Sequence, residues 1–519
     1  MKFVLLGLLG LLVLYSRFIN LNWDSGWGFH PDENNLWGAS RRVELFTKLD
    51  PEFYAYGGFP IYLYSLLVSK VEARAVSAVA QVLIVILLFI TGRRIAGFKG
   101  GFFAAVLGSF SAGLTQAGHF LTAESLLGLF GLVILFCLLK YFAGDKEKNI
   151  WLALAAIVLG LGVGTKVSFA VFALPLFGRA LIFSSRKSVG ASEPRSRALA
   201  RHARRACEQV SVLLGLFIVA ISIFLLTNPF ILTKWSDVRS TFEYETRVAT
   251  GSLPVFYTRQ FLETVPGWFQ AIYVFPQVTG WLFLPMFFVG VFVVCFQESP
   301  GSARKLLVAS MLAALLSFLP LWAKWTRYAV QVLPILILIA GVGASWVWEK
   351  GRLGKAAVIL TIVSFLPQFI STLQVYGRED TRVKAAKWAE ANIPQDARIF
   401  TEAMDLGILP FNPIHGQNIK LFNFYELDEV QAEEKQSKLD SLLNESDYFI
   451  ILSRRVYKNS LDHSDKFPLS AKFYQSLFDG SSGYNLVYQS PLIPYSLLLT
   501  PAEETFEVFD NPKVMIFEK

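Results

Sequence analysis

The sequence predicts a polytopic α-helical membrane protein of about eleven transmembrane helices, followed by a smaller C-terminal α/β domain. Three observations carry this. Of the 519 residues, 54% are apolar and only 17% are charged, with a mean hydropathy of +0.46, too apolar for an ordinary soluble enzyme. Continuous apolar runs of about 17–25 residues recur, the length a bilayer-crossing helix needs, and they lack the alternation of a membrane β-barrel. Charge is also divided. Residues 376–519 hold 15 Lys and Arg against 22 Asp and Glu, a net −7, whereas residues 1–375 carry a net +15. A basic membrane part with an acidic tail points to two compartments and away from nucleic acid.

The first apolar run, 3–18, has one early Lys and no small-x-small cleavage site after it, so it reads as a retained transmembrane helix rather than a signal peptide. A long loop follows, 20–72. It contains an amphipathic helix over 33–48 and the aromatic stretch Tyr54-Ala55-Tyr56-Gly57-Gly58-Phe59-Pro60-Ile61-Tyr62-Leu63-Tyr64. Such aromatic density suits the headgroup level, as an interface anchor or as a wall for a lipid or sugar. Further helices are expected at 75–92, 101–115, 125–142, 150–162 and 167–183, the last two broken at Gly160-Leu161-Gly162-Val163-Gly164-Thr165-Lys166. A basic loop, 184–209, precedes a helix at 210–227. A second long loop, 228–267, leads to helices at 269–296, 305–321, 328–348 and 356–375.

Orientation follows from the positive loops. Lys2, Arg93, Arg94, Lys99, Lys146, Lys148, the 184–209 loop, Arg304, Lys305, Lys350, Arg352 and Lys355 all fall on one side, taken as the cytoplasm. The N-terminus is then cytoplasmic and the tail lies outside. The expected domains are a membrane domain, 1–375, and an external α/β domain, 376–519. In the tail, 381–392 reads as a helix ended by Ile393-Pro394, and 467–478 as another. Strands are expected at 398–401, 448–452, 484–489, 507–509 and 514–517. The tail has no nucleophile elbow, phosphate loop or metal cluster. Cys137, Cys207 and Cys295 are the only cysteines. None lies in the tail and none is in a CxxC pair, so disulfide staples and thiolate zinc sites are excluded there.

The outer side collects the residues with chemistry. Gly26-Trp27-Gly28-Phe29-His30-Pro31-Asp32-Glu33 leaves the first span, and Glu124 opens the helix at 125–142 with His119 just before it. Lys166, Arg259, Lys324 and Arg327 add cations. Each has a plain structural explanation. Pro31 with Asp32 and Glu33 suits a helix start, as does Glu124. Lys166 can snorkel to the interface, Arg327 can anchor a headgroup, and His119 can simply pack. Together they suggest more. A carboxylate can act as general base on a hydroxyl or amine, and cations can hold a phosphate leaving group. Carboxylates with imidazoles, His30 and His119 among them, can also hold a divalent metal such as Mg or Mn.

The arrangement resembles the GT-C superfamily, specifically glycosyltransferase family 39, with its protein O-mannosyltransferases and lipid A aminoarabinose transferases. The resemblance rests on His30-Pro31-Asp32-Glu33 after the first helix, Leu121-Thr122-Ala123-Glu124-Ser125, the glycine-rich segment ending at Lys166, and Arg327-Tyr328 ahead of Pro334. In the tail it rests on Ala386-Lys387-Trp388 through Asn392-Ile393-Pro394 and on Glu507-Val508-Phe509-Asp510-Asn511-Pro512-Lys513-Val514. It implies a membrane enzyme that takes sugar from a polyprenyl-phosphate donor and passes it to a protein, lipid or glycan acceptor outside the cytoplasm. Asp32 would be the catalytic base with Glu33 beside it, and Glu124 the second acidic residue. Lys166 and Arg327, with Arg259 as a further cation, would face the donor phosphate. The family more often has Asp where this chain has Glu124, and its members differ in metal dependence. Two rivals come from other classes. A lipid transporter or flippase would place charges at mid-membrane and show internal repeats, neither of which the sequence has. A non-catalytic scaffold would use the tail to bind a partner.

Overall fold

The computed structural model describes residues 2–143, 148–178, 195–297, 301–429, 432–493 and 502–519. Lys146, Arg186 and Lys187 of the expected cytoplasmic loops, and the end of the expected 167–183 span, lie outside the described residues. The chain forms two compact units. One comprises Met1–Phe18, Asn35–Ala249 and Val265–Phe369; the other comprises Ile19–Asn34, Thr250–Thr264 and Ile370–Lys519. The second unit therefore gathers two segments that the sequence reading had placed with the loops of the membrane domain.

The first unit is helical. Lys70–Ser109, Glu124–Phe142, Cys207–Thr227 and Gly351–Tyr376 are long and apolar enough to cross a membrane. They become five if Gln270–Val278 and Phe283–Phe296, bent by 97°, count as one span. Val4–Phe18, Asn149–Val163, Val167–Phe177 and Leu333–Trp348 are shorter apolar helices. Among the described residues, length and composition alone thus give fewer spans than the eleven expected. Part of the difference is that the expected helices 3–18 and 150–162 are unbroken but short, and part is breaks inside other runs. The run 328–348 divides into Thr326–Val330 and Leu333–Trp348, with Pro334 in the new first turn. The stretch 167–183 begins as a 3-10 helix, Val167–Phe172. Lys70–Ser109 holds two of the expected helices, separated by non-helical backbone at Ala96 and Gly97. Leu333–Trp348 is the central element, buried along most of its length and packed on both Lys70–Ser109 and Phe283–Phe296. Arg17, fully buried near the end of the first helix, donates to the Gly108 and Ser109 carbonyls at 2.9 and 3.2 Å. It thereby satisfies groups that a helix C-terminus leaves open.

The second unit is built on a five-stranded sheet of β1 (Ile399–Glu402), β2 (Ile419–Phe422), β3 (Tyr448–Ile451), β4 (Asn485–Gln489) and β5 (Met515–Glu518), in the order β2-β1-β3-β5-β4. β2, β1 and β3 are parallel; β5 runs antiparallel to β3 and β4 antiparallel to β5. Strand periodicity sends Phe400, Phe449, Ile451, Met515 and Phe517 to one face, where Leu439, Leu442, Val456 and Phe473 cover them. Ile399, Ile450, Val514 and Ile516 go to the other, covered by Ala385, Ala386, Ala389, Ile408 and Phe411. The helix Thr381–Asn392 has Asp380 as its cap, whose side chain accepts from the Arg382 amide at 2.8 Å. One expected strand is not one. Residues 507–509 follow directly from a short helix, Glu504–Glu507, because Phe506 and Val508 turn inward from a capped turn instead of alternating across a sheet.

Candidate functional site

In the first unit the polar residues gather around one turn and one helix break. Gln81 donates to Ser125 Oγ at 3.0 Å, Ser125 donates to the Ala117 carbonyl at 2.9 Å, and Tyr64 reaches the Thr122 carbonyl at 3.4 Å. These bonds fix the turn that ends at Glu124, the first residue of its helix and 3% exposed. Its Oε1 is 3.9 Å from Lys166 Nζ, beyond hydrogen-bond distance, and makes no hydrogen bond. A buried carboxylate oxygen without a hydrogen bond is costly, so this atom is poised to accept one.

Lys166 is placed by backbone. Its amide bonds to the Gly162 carbonyl at 2.9 Å. The aromatic stretch is laced to the same turn, with the Gly57 amide on the Thr165 carbonyl at 2.9 Å and the Phe59 amide on the Gly164 carbonyl at 3.1 Å. The Gly58 amide bonds to Asn228 Oδ1 at 2.7 Å. The approach is so close that a Cβ on Gly57 would lie 2.1 Å from the Gly164 oxygen, and one on Gly58 2.2 Å from the Thr227 oxygen. Lys166 Nζ consequently faces the Tyr328 ring at 4.7 Å and the Tyr56 ring at 5.6 Å. Arg327 lies over Trp325 at 4.7 Å and beside Tyr328 at 5.8 Å. Glu124, Lys166 and Arg327 thus share a neighbourhood, with Tyr328 between the two cations. His119 is packed inside its own helix, Nδ1 2.9 Å from the Thr115 carbonyl. Lys324 is buried and donates to the Trp322 carbonyl at 2.5 Å.

In the second unit, Asp32 and Glu33 occupy the first turn of Pro31–Arg42, whose start is marked by the Asn34 amide on the His30 carbonyl at 3.2 Å. Glu33 is fully buried and Asp32 is half-buried. The preceding loop is held by a residue the sequence reading passed over. Asp24 accepts from the Gly26 and Gly28 amides at 3.1 and 2.9 Å, and Asn34 donates to the Gly28 carbonyl at 2.7 Å. The signal was there, since Asp followed two residues later by Gly is an Asx-turn pattern. The His30 ring packs on Phe509 at 4.2 Å, and the Arg382 guanidinium lies 3.7 Å from the centre of the Phe29 ring.

Arg259 belongs to the second unit, where it donates to the Tyr425 carbonyl at 2.6 Å and lies 4.0 Å over Phe467. Burial lowers its pKa from the ordinary guanidinium value. Among the described residues no three His, Cys, Asp or Glu side chains come together in a way that would hold a metal ion.

The comparisons with known proteins bear on this geometry. The family model described as dolichyl-phosphate-mannose-protein mannosyltransferase matches residues 61–200. No curated protein matches the chain in sequence. Among solved structures, the Archaeoglobus fulgidus oligosaccharyltransferase AglB in complex with an inhibitory peptide and a dolichol-phosphate superposes with a TM-score of 0.52 at 12% identity, over 100% of this chain and 88% of that one. The same archaeal enzyme tethered to an acceptor peptide containing the NVT sequon gives 0.50 at 13% identity, over 100% and 88%. ArnT from Cupriavidus metallidurans bound to undecaprenyl phosphate gives 0.47 at 14% identity, over 99% and 98%. The chain thus shares its fold with the archaeal oligosaccharyltransferase AglB over its whole length.

Proposed function

We propose that the protein is an integral membrane glycosyltransferase that moves a sugar from a polyprenyl-phosphate-linked donor to a protein, lipid or glycan acceptor at the outer face of the membrane. The observation that carries the reading is the buried Glu124 Oε1, which has no hydrogen bond and lies 3.9 Å from Lys166, with Arg327 beside the same aromatic ring as that lysine. Two cations against aromatic walls suit a lipid phosphate, and a bare carboxylate oxygen suits a donated hydroxyl. The family match supports transfer from a lipid-linked sugar, and AglB, the fold relative, holds a dolichol-phosphate.

In this reading, residues 1–375 form the membrane catalytic part and 376–519 the outer domain, with the N-terminus cytoplasmic as the positive loops require. The acceptor hydroxyl or amine attacks the anomeric carbon and the carbon–phosphate-oxygen bond breaks. Asp32 takes the acceptor proton, which its half-exposed position permits, and Glu33 stays buried beside it. Lys166 and Arg327 hold the departing lipid phosphate, and configuration inverts in the single displacement. The aromatic stretch ending at Tyr64, tied to the Lys166 turn, lines the donor's path from the bilayer.

The test is Asp32→Asn in the full chain, assayed with a synthetic polyprenyl-phosphate sugar. Transfer falls by about 10³-fold in a variant that keeps its helical content, the scale of a lost general base. Full transfer by the folded variant would sink the base assignment, and lipid movement without transfer would favour a transporter.

A further inference from the structure

The sheet of the second unit has, between β1 and β3, a crevice of the kind in which an α/β domain ordinarily holds a ligand. β1 and β3 are adjacent and parallel. The chain leaves β1 through Leu406–Phe411, which packs on the face lined by Ile399 and Ile450. It leaves β3 through Arg455–Asp462, which packs on the opposite face. Adjacent strands whose exits turn to opposite faces leave a crevice at their carboxyl ends.

The contents of that crevice can be followed atom by atom. Ser453, just past β3, donates to Asp405, just past β1, at 2.8 Å. A Cβ on Gly407 would meet Arg382 Cδ at 3.0 Å and Leu452 Cβ at 3.1 Å, so the Arg382 side chain passes directly over the strand ends. Arg382 is 2% exposed. Its Nε and Nη2 donate to the two Asp380 oxygens at 2.8 and 2.6 Å, and Nη2 also donates to the Phe509 carbonyl at 2.7 Å. The segment carrying Phe509 is tied down by Arg454 on Glu507 at 2.7 Å and Arg455 on Glu504 at 2.5 Å. On this platform sit Phe29, under the guanidinium plane, and His30, against Phe509. Two residues later comes Asp32.

We infer that the C-terminal domain uses the ligand crevice of its sheet to hold the loop that bears Asp32, with Arg382 and Phe29 as positioning residues. The inference rests on the reading of Asp32 as base, and it names what sets that residue's position. Asp380 holds the guanidinium plane in one orientation, the plane holds the Phe29 ring, and the ring adds an anchor on the sheet domain to the bonds that Asp24 and Asn34 make within the loop.

The experiment uses the full chain in lipid nanodiscs. Amide hydrogen exchange is followed over residues 26–34, and transfer is assayed with a polyprenyl-phosphate sugar. Phe29→Leu removes the ring and leaves the buried Asp380–Arg382 pair intact. It raises exchange in the loop about ten-fold, leaves β1 and β3 protected, and lowers kcat about ten-fold with donor KM within about two-fold. Arg382→Lys keeps the charge but loses the plane, and gives the same pattern. Phe29→Tyr restores both readouts. Unchanged loop exchange in Phe29→Leu overturns the inference, and so does a loosened loop with an unchanged kcat. If Asp32→Asn retains transfer, the base reading fails by itself, and the exchange result still reports whether the crevice holds the loop.

Discussion

Two carboxylate–cation pairs, one in each unit and each with a buried carboxylate, are made in opposite ways. Asp380 and Arg382 meet through two parallel hydrogen bonds at 2.6 and 2.8 Å, and the guanidinium spends a further donor on a carbonyl. Glu124 and Lys166 stand 3.9 Å apart, and Glu124 Oε1 has no hydrogen bond. Burying charge is expensive, and a structural pair recovers that cost by saturating its donors and acceptors. The first carboxylate does this and Glu124 Oε1 does not. A buried acceptor left without a hydrogen bond suits something that arrives later, and aromatic rings on both sides of Lys166 define the approach.

Substitutions can break this comparison, and the largest effect belongs to the saturated pair. Asp380→Asn leaves the Arg382 guanidinium buried beside a neutral amide. It destabilises the second unit by about 3 kcal/mol, read as lost exchange protection in β1 and β3. A loss below about 1 kcal/mol would remove the distinction between the two pairs. Lys166→Met should act the other way round. Transfer drops about 100-fold while thermal stability barely changes, because the 3.9 Å pair contributes little to folding. A large loss of stability there would make Lys166 a structural residue.

A third carboxyl sharpens the contrast. Glu402 is buried at the end of β1 with a hydrogen bond from Tyr474 at 2.6 Å, and Oε2 has no hydrogen-bond partner. Burial, opposed by the Tyr474 bond and reinforced by Asp405, holds its pKa well above the usual carboxylate range. The folded state therefore keeps a proton that the unfolded chain releases above about pH 4.3. Stability is greatest below that pH and falls by about 1.4 kcal/mol per unit as pH rises, until the folded pKa is passed. Glu402→Gln, which carries no proton to lose, removes this slope from the unfolding of the second unit. An unaltered pH dependence in the variant would show that Glu402 is ionised in the fold.

How much of this was legible in the sequence depends on the range of the interaction. The helix Thr381–Asn392 was readable to the residue because its stop, Ile393-Pro394, is local. The approach of Lys166 to Glu124 was readable as a shared side, since loop charge sets topology. The partner of Arg259 was not legible, because a cation in an outer loop gives no sign of which carbonyl will claim it. Tyr425, its acceptor, lies 166 residues away. β2 was missed because Lys420 interrupts its apolar run, and Phe422 is its one buried residue. Arg382 carries no local signal in the sequence, and only the crevice made by β1 and β3 reveals its work.

The lacing of Gly57, Gly58 and Phe59 to the 164–165 turn and to Asn228 has a consequence for how this protein tolerates change. Backbone meets backbone there, so even a methyl group at 57 or 58 collides with a carbonyl oxygen. In a saturation library selected for transfer, both positions should read as glycine alone, as intolerant as Lys166 itself although neither touches substrate. A designer seeking to retune the donor site would leave the seam untouched and vary Tyr56 and Tyr328, the rings that flank it.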